Sequence, residues 1–270
     1  MRYLTLGTVW KDEHEYALDF IKLHYYLGVE HFVIFDREYH KLYDMTKHLP
    51  YVEIIHFPET PENIHMEGFG RLIKYNKGKT KWLACIDCDQ VLVPVKTNDV
   101  REVLKDYEEF ASLQINWHTF GSSYKETKEP GSIYERFLLR GPDNVIYDLH
   151  TQFICQPDRT LAERTKEPHY PLLPEGEISV NTNKEQIDPN KSVSLNPSTP
   201  LSFNYPALHD ILWVAHYNNK SKEEFIAKNN KGRADIHGAK IPMEQFEEYD
   251  RYCNLVEEKR VLELWKLANL

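Results

Sequence analysis

No stretch of these 270 residues approaches the ~20 consecutive apolar residues that a membrane-spanning helix needs. The first ten residues, Met1 to Trp10, also lack the long apolar centre of a secretory leader. A soluble, cytoplasmic protein is expected, with at most peripheral contact to a membrane surface. Cysteine is scarce. Cys85, Cys88, Cys155 and Cys253 are too few and too dispersed to staple a chain of this size, which suits a reducing compartment. The C-x-x-C of Cys85 and Cys88 lacks the second pair of a zinc site and the helix start of a redox motif, so small buried strand residues are expected there. Basic charge is short as well. A balance of 33 Lys and Arg against 42 Asp and Glu leaves −9, which removes the electrostatic footprint of a nucleic-acid binder and leaves room only for a local basic pocket.

What is present is a chain 41% hydrophobic and 13% aromatic, enough to bury one large core. No internal repeat is visible. Short apolar runs alternate with helical periodicity from the start. Leu4 to Val9 reads as a strand, Glu15 to Leu27 as a helix stopped by Gly28, Val29 to Asp36 as a strand ending in an acid, and Lys41 to Leu49 as a short helix. Tyr51 to Phe57 is a third strand and Asn63 to Lys77 a third helix, leading into the apolar run Lys81 to Pro94. A helix over Asp99 to Phe110 and a strand over Ser112 to Gly121 follow. This alternation predicts βαβ units, a mostly parallel sheet and helices on both faces. A single domain over 1–270 is expected, with a nucleotide-fold-like half to about residue 115, a second half over about 116–240 and a helical extension over 241–270. Asn181 to Pro200 is polar and proline-containing, and reads as a long surface loop. Met243 to Leu270 reads as helix that covers the sheet.

The run Ile86-Asp87-Cys88-Asp89 carries the chemistry. Residues i and i+2 of an extended chain point the same way, so Asp87 and Asp89 would share one hard cation, Mn²⁺ or Mg²⁺, whose other positions go to water or substrate phosphate. The carboxyl end of a strand is also where open α/β sheets bind ligands.

Three segments make the pattern specific. The first is Lys11-Asp12-Glu13 with Tyr16, His24 and the run Leu27 to Phe32 into Asp36. The second is Tyr75-Asn76, Lys81-Trp82, Ile86 to Asp89 and Val91 to Pro94. The third runs from Asn116-Trp117 and Phe120-Gly121-Ser122-Ser123 through Glu135-Arg136-Phe137 to Ala215-His216-Tyr217, Lys220-Ser221, Glu223-Glu224-Phe225 and Lys231 to Asp235. In this order they resemble the glycosyltransferases of family 2 and family 92 type over roughly Leu4 to Asp235. The resemblance implies a GT-A fold, a nucleotide-sugar donor with UDP-sugars favoured, a D-x-D metal site and a glycan or glycolipid acceptor, with inversion at the transferred sugar. Two departures stand out. Gln90 follows the second aspartate where an acid is common, and Gly68-Phe69-Gly70 stands where a larger polar residue is common.

On that resemblance, His216 takes the place of a downstream histidine that completes the metal site; a buried, hydrogen-bonded histidine is the structural alternative. Arg233 is the preferred ligand of the donor diphosphate among Lys222, Lys228, Lys231 and Arg233, with Arg71 a further phosphate ligand. A solvated helix face balanced by Glu223 and Glu224 would equally explain the lysines. Asp36 and Glu13 would accept from the base or ribose, or simply complement helix dipoles. Glu135 is the candidate general base, with Asp148 and Asp158 in reserve, although a salt bridge to Arg136 or Arg140 would also account for it. Trp117, His118, Phe120 and Tyr124 would form a platform for sugars. Two other readings compete. A sugar-phosphate nucleotidyltransferase would need a glycine-rich loop that Gly7 to Lys11 does not supply. A non-catalytic carbohydrate-binding protein on a degenerate GT-A fold would be expected to have lost the aspartate pair.

Overall fold

Leu4 to Trp10 and His31 to Asp36 are buried at every position, as strands become when both faces of a parallel sheet are covered. A computed structural model describes residues 1–10, 13–57, 64–162, 165, 169–187, 204–230 and 240–270. The first half runs β1 (Arg2–Trp10), α1 (Ala17–Tyr26), β2 (His31–Asp36), α2 (Tyr39–Thr46), β3 (Val52–His56), α3 (Ile64–Asn76) and β4 (Thr80–Cys85). Then come β5 (Gln90–Pro94), α4 (Val100–Leu104), β6 (Ser112–Thr119), α5 (Ile133–Arg136), β7 (Leu139–Arg140), β8 (Thr151–Cys155) and β9 (Ser179–Val180). The chain closes with β10 (Leu212–His216), α6 (Lys222–Asn230), α7 (Met243–Cys253), β11 (Val256–Glu257) and α8 (Arg260–Ala268).

The main sheet has the order β3-β2-β1-β4-β8-β6-β10-β5, with β9 beside β6. β1, β2, β3 and β4 are parallel, β8 runs against both β4 and β6, and β10 runs parallel to β6. Seven strands therefore point the same way, β9 among them, and the ends of β1, β2, β3, β4, β6 and β10 share one edge. This is the mostly parallel, Rossmann-like α/β arrangement of a GT-A fold. Among the described residues, no helix is long and apolar enough to cross a membrane.

Three expectations are corrected. The run Lys81 to Pro94 is not one strand: β4 ends at Cys85 and β5, starting at Gln90, pairs antiparallel with β10 at the far edge. In a flat sheet four inter-strand steps of about 4.8 Å would separate β4 from β5, roughly 19 Å in all. The link is a turn closed by the Gln90 N–H on the Asp87 carbonyl (3.1 Å), too short for that span, so the sheet curls back on itself. Met243 to Leu270 likewise forms two helices. Leu255 and Glu258 donate to the carbonyls of Arg140 and Leu138, and this non-local pairing of β11 with β7 interrupts the helical periodicity. α8 buries Val261, Leu264 and Trp265, the last edge-on to Tyr134, so Trp265 covers the core and is not an exposed membrane anchor. The helix expected over Asp99 to Phe110 shortens to α4 and a 3₁₀ turn at Lys105–Tyr107. The four thiols are free, and burial holds those of Cys85 and Cys88 well above the ordinary value. Neither is a thiolate ready for redox chemistry or zinc.

Candidate active site

The shared carboxyl edge of the strands gathers the acids. Glu13 follows β1, Asp36 ends β2, Asp87 and Asp89 follow β4, and His216 ends β10. Asp87 and Asp89 sit in the turn between β4 and β5, so the two-residue period of a strand does not aim them. The Gln90 side chain clasps this turn from both ends. Its Oε1 accepts the Asp87 N–H (3.1 Å) and its Nε2 donates to Asp87 Oδ2 (3.0 Å). Gln152 of β8 donates to the same oxygen at 3.2 Å. Asp87 thus faces β8, while the Asp89 carbonyl accepts the Tyr217 N–H and ties Asp89 to the end of β10.

Asp89 lies in a buried charge cluster. Lys228 Nζ is 2.8 Å from Asp89 Oδ2 and 3.0 Å from Glu13 Oε1. Lys220 Nζ is 3.2 Å from Glu13 Oε2 and 4.0 Å from Asp89 Oδ2. Burial would raise the Asp89 carboxyl, but Lys228, His216 and Lys220 outweigh it and hold the group well below the usual range. Glu13 is lowered in the same way: Lys220 and Lys228 overcome its burial. Two ionised carboxylates and two ammonium groups therefore balance one another. Lys220 is almost fully enclosed, lies 5.1 Å from the centre of the Tyr16 ring and holds a left-handed backbone (φ +55°). For a residue with a Cβ that conformation costs on the order of 1 kcal/mol, so the surrounding contacts must fix it.

His216 supplies a neutral nitrogen. Burial keeps its imidazole down at about 4, against the pull of Asp89. Nδ1 is buried without a hydrogen-bond partner and Nε2 stands 3.6 Å from Asp89 Oδ1, a separation that two ligand atoms each about 2.1 Å from one ion can have. A neutral imidazole and an ionised carboxylate at that spacing fit a divalent cation, and the mixed nitrogen and oxygen donors suit Mn²⁺. Asp87 is turned toward Gln90 and Gln152. The tightest three-ligand grouping among the described residues lies elsewhere, in His118, Asp148 and His209. Those two rings stack with centroids 3.5 Å apart and planes 26° from parallel, so they cannot both aim an in-plane lone pair at one ion about 2.1 Å away. His118 is instead hydrogen-bonded to Asp148, and the half-buried His209 to the Trp117 carbonyl.

A second polar knot fixes α6, which carries Lys228. Ser221 and Glu224 form a reciprocal capping box at its start. Glu224 also receives Arg136 through two parallel bonds of 2.9 Å and the Tyr16 hydroxyl at 2.5 Å. Glu224 is thus buried, not part of a solvated face as its sequence neighbourhood suggests. Lys220 and Tyr16 have no individual role in the sequence reading, and Arg136 and Glu224 have other ones there, although the Ser-x-x-Glu spacing at 221–224 is a readable helix-start signal.

The other candidates fall in varied places. Asp36 is fully enclosed, with His14 Nε2 at 3.2 Å and the Glu38 N–H on its Oδ1. Arg71 lies 3.8 Å from Glu67 and over the Phe57 ring. Glu135 is exposed and caps α5 by accepting the Ser132 N–H, in a groove it shares with Asp19, Trp265 and Lys266. Neither of the arginines expected to pair with it does so: Arg136 goes to Glu224, and Arg140 to Asp143 and Glu258. Asp158 accepts the Gly78 N–H and Asp148 the Thr119 N–H. Trp117 is 7% exposed, stacked on His150 and edge-on to His216 at 4.2 Å, so it braces His216 and offers no open face to a sugar. Phe120 is buried against Tyr217, and only Tyr124 of the expected platform is well exposed. Arg233 and Lys231, and most of the polar loop over 181–200, lie outside the described residues.

No curated protein matches this chain. The model of glycosyltransferase family 92 matches residues 6–160, from the first strand to just past β8. That span is more than half of the chain and contains the D-x-D turn, the strand that leads into it and the Gln152 that faces it. With this match the chain belongs to glycosyltransferase family 92 and is a glycosyltransferase.

Proposed function

We propose that this enzyme transfers a sugar, with inversion, from a nucleotide-sugar donor, UDP-sugars being favoured, to a glycan or glycolipid acceptor, and that the reaction depends on a divalent cation. The observation that carries this reading is Asp89, held ionised at the carboxyl edge of the sheet beside the neutral imidazole of His216. Asp89 and His216 would hold Mn²⁺ or Mg²⁺, with Asp87 on the same turn, and the ion would offset the negative charge that develops on the leaving nucleoside diphosphate. Gln90 and Gln152 keep Asp87 oriented. Lys220 and Lys228 supply ammonium donors to phosphate oxygens at the same edge, where charge-assisted bonds are strongest once water is excluded. Arg233, a short way past α6, is a further phosphate ligand in this reading. Asp36, buried at the end of β2, holds the His14 ring through its Nε2. The Trp117 indole packs against His216 and limits its ring to one orientation.

The test is a thermal-shift panel of UDP-, GDP-, CMP- and dTDP-sugars, each with Mn²⁺ or with EDTA, on the native chain and on Asp89→Ala. A ligand at 100 times its Kd stabilises the fold by about 2.7 kcal/mol. The expected result is a Mn²⁺-dependent shift with UDP-sugars that is absent in Asp89→Ala. A shift that survives EDTA would remove the cation from the mechanism, and no shift with any donor would remove the donor site from this edge.

A further inference from the structure

Two buried carboxylates side by side need a counter-charge, because an unpaired buried ion costs more than almost any other single defect. In the resting chain that charge comes from the protein itself. Lys228 Nζ stands between Asp89 Oδ2 (2.8 Å) and Glu13 Oε1 (3.0 Å), bonded to the carboxylate assigned to the cation. A divalent ion on Asp89 would meet an ammonium on the same group, and like charges that close repel strongly where water is scarce. One of the two must leave. The two lysines differ in their freedom to do so. The Lys220 side chain is 4% exposed and the Lys228 side chain 42%, so Lys228 has a path to solvent. Its helix stays in place, because Glu224 and Arg136 anchor the first turn of α6, and only the flexible four-carbon stem has to move.

We propose that Lys228 is a resident counter-ion: it occupies Asp89 and Glu13 until a divalent cation displaces it, and the displaced ammonium is then received by the diphosphate of the donor. This rests on the donor-site reading above. Its consequence is coupling. The cation alone must break a charge-assisted bond and strand an ammonium, whereas cation and diphosphate together leave every charge paired, so each ligand strengthens the other.

The test is Mn²⁺ titration, followed by the electron-paramagnetic-resonance signal of the free ion, with and without UDP, on the native chain, Lys228→Met, Lys228→Arg and Asp89→Asn. Without UDP, Lys228→Met is expected to bind Mn²⁺ about ten-fold more tightly than native, the scale of one lost charge-assisted hydrogen bond. Lys228→Arg, which keeps the charge, is expected to stay near native. UDP is expected to raise Mn²⁺ affinity far more in the native chain than in Lys228→Met. Equal or weaker Mn²⁺ binding by Lys228→Met without UDP, alongside loss of binding in Asp89→Asn, overturns the counter-ion role and leaves the donor site standing. Unchanged binding in Asp89→Asn, or no binding by any protein, removes the donor-site reading and this inference with it. A measurement on the native chain needs no variant to fold. Acetylation of Lys228 by acetic anhydride, read by mass spectrometry, is expected to be slow without ligands, faster with Mn²⁺ and slow again with Mn²⁺ and UDP. A rate that Mn²⁺ does not change overturns the proposal.

Discussion

Replacing Glu224 by Gln keeps the shape of the side chain and removes its charge, which isolates the knot that anchors α6. Glu224 is buried, caps the helix with Ser221 and pairs with an Arg136 guanidinium that is itself enclosed. Burial alone would raise the carboxyl; Arg136, Ser221 and Tyr16 outweigh it and pull it from 4.5 down to about 2. At about 1.4 kcal/mol per pH unit this corresponds to roughly 3 kcal/mol of folding stability. An independent route gives the same scale, since removing one partner of a buried ion pair costs about 3–5 kcal/mol. In a chain of this size about 1 kcal/mol lowers Tm by some 2–4 °C, so Glu224→Gln should melt roughly 10 °C below native at pH 7.

The pH dependence separates this ion pair from simple loss of packing. The folded-state carboxyl is depressed, so its contribution is complete above about 4.5 and disappears as pH falls toward 2. The gap in Tm between native and Glu224→Gln should stay constant from pH 8 to 5 and close below that. Adding Arg136→Met to Glu224→Gln should cost little more than the single change, because the guanidinium no longer sits buried without its carboxylate. A gap under about 2 °C at pH 7, or one that does not change down to pH 3, would falsify the argument that this pair holds α6 in place.

Gly68→Ala would place a Cβ 2.4 Å from Val9 Cγ2 and press α3 off β1; a loss of about 1–3 kcal/mol in urea denaturation is expected, partly recovered by adding Val9→Ala. Trp117→Ala should cost about 3–5 kcal/mol, but Trp117→Phe only about 1–2, because the indole N–H it deletes is buried with no partner; equal losses would contradict that assignment. Burial raises the Asp148 carboxyl from 3.8 to about 7, so the folded state holds a proton that the unfolded chain releases. Native stability should therefore fall between pH 4 and 7 by up to roughly 4 kcal/mol from this group and level off above. Asp148→Asn should lack that fall in melts across the range, and parallel curves for the two proteins would show that Asp148 is ionised in the fold.

The first half of the fold is legible because its strands are short apolar runs bounded by charge and its helices carry a 3.6-residue period, which is local information. Arg2 to Asn76 follows that reading almost element by element. The break inside Lys81 to Pro94 is not local. Nothing in Cys85-Ile86-Asp87-Cys88-Asp89-Gln90 marks a turn with Gly or Pro; the turn exists because Gln90 folds back on Asp87 and because β5 has β10 to pair with across a curled sheet. The split between α7 and α8 has the same origin, since β11 forms only where β7 waits for it. At the site, Asp89 and His216 come together because their strand ends share an edge. The two lysines that pair with Glu13, Lys220 just before α6 and Lys228 within it, lie more than 200 residues away, and no spacing rule joins them to it. The Ser221 to Glu224 capping signal was readable, but that Glu224 would also take Arg136 depends on the packing of α5 against the start of α6.

The same contacts explain why this chain departs from the common pattern at residue 90. An acid there would place a second carboxylate on the Asp87 side of the turn, where only an ion or a cationic side chain could hold both. The Gln90 amide does two jobs that a carboxylate cannot do together, accepting the Asp87 N–H and donating to the Asp87 side chain. It therefore closes the turn and helps to fix Asp87 toward β8. The two aspartates consequently have unequal surroundings. The amides of Gln90 and Gln152 donate to Asp87, whereas Lys228, Lys220 and His216 lie beside Asp89. Incoming positive charge at Asp89 has to compete with Lys228, which already stands 2.8 Å from Asp89 Oδ2.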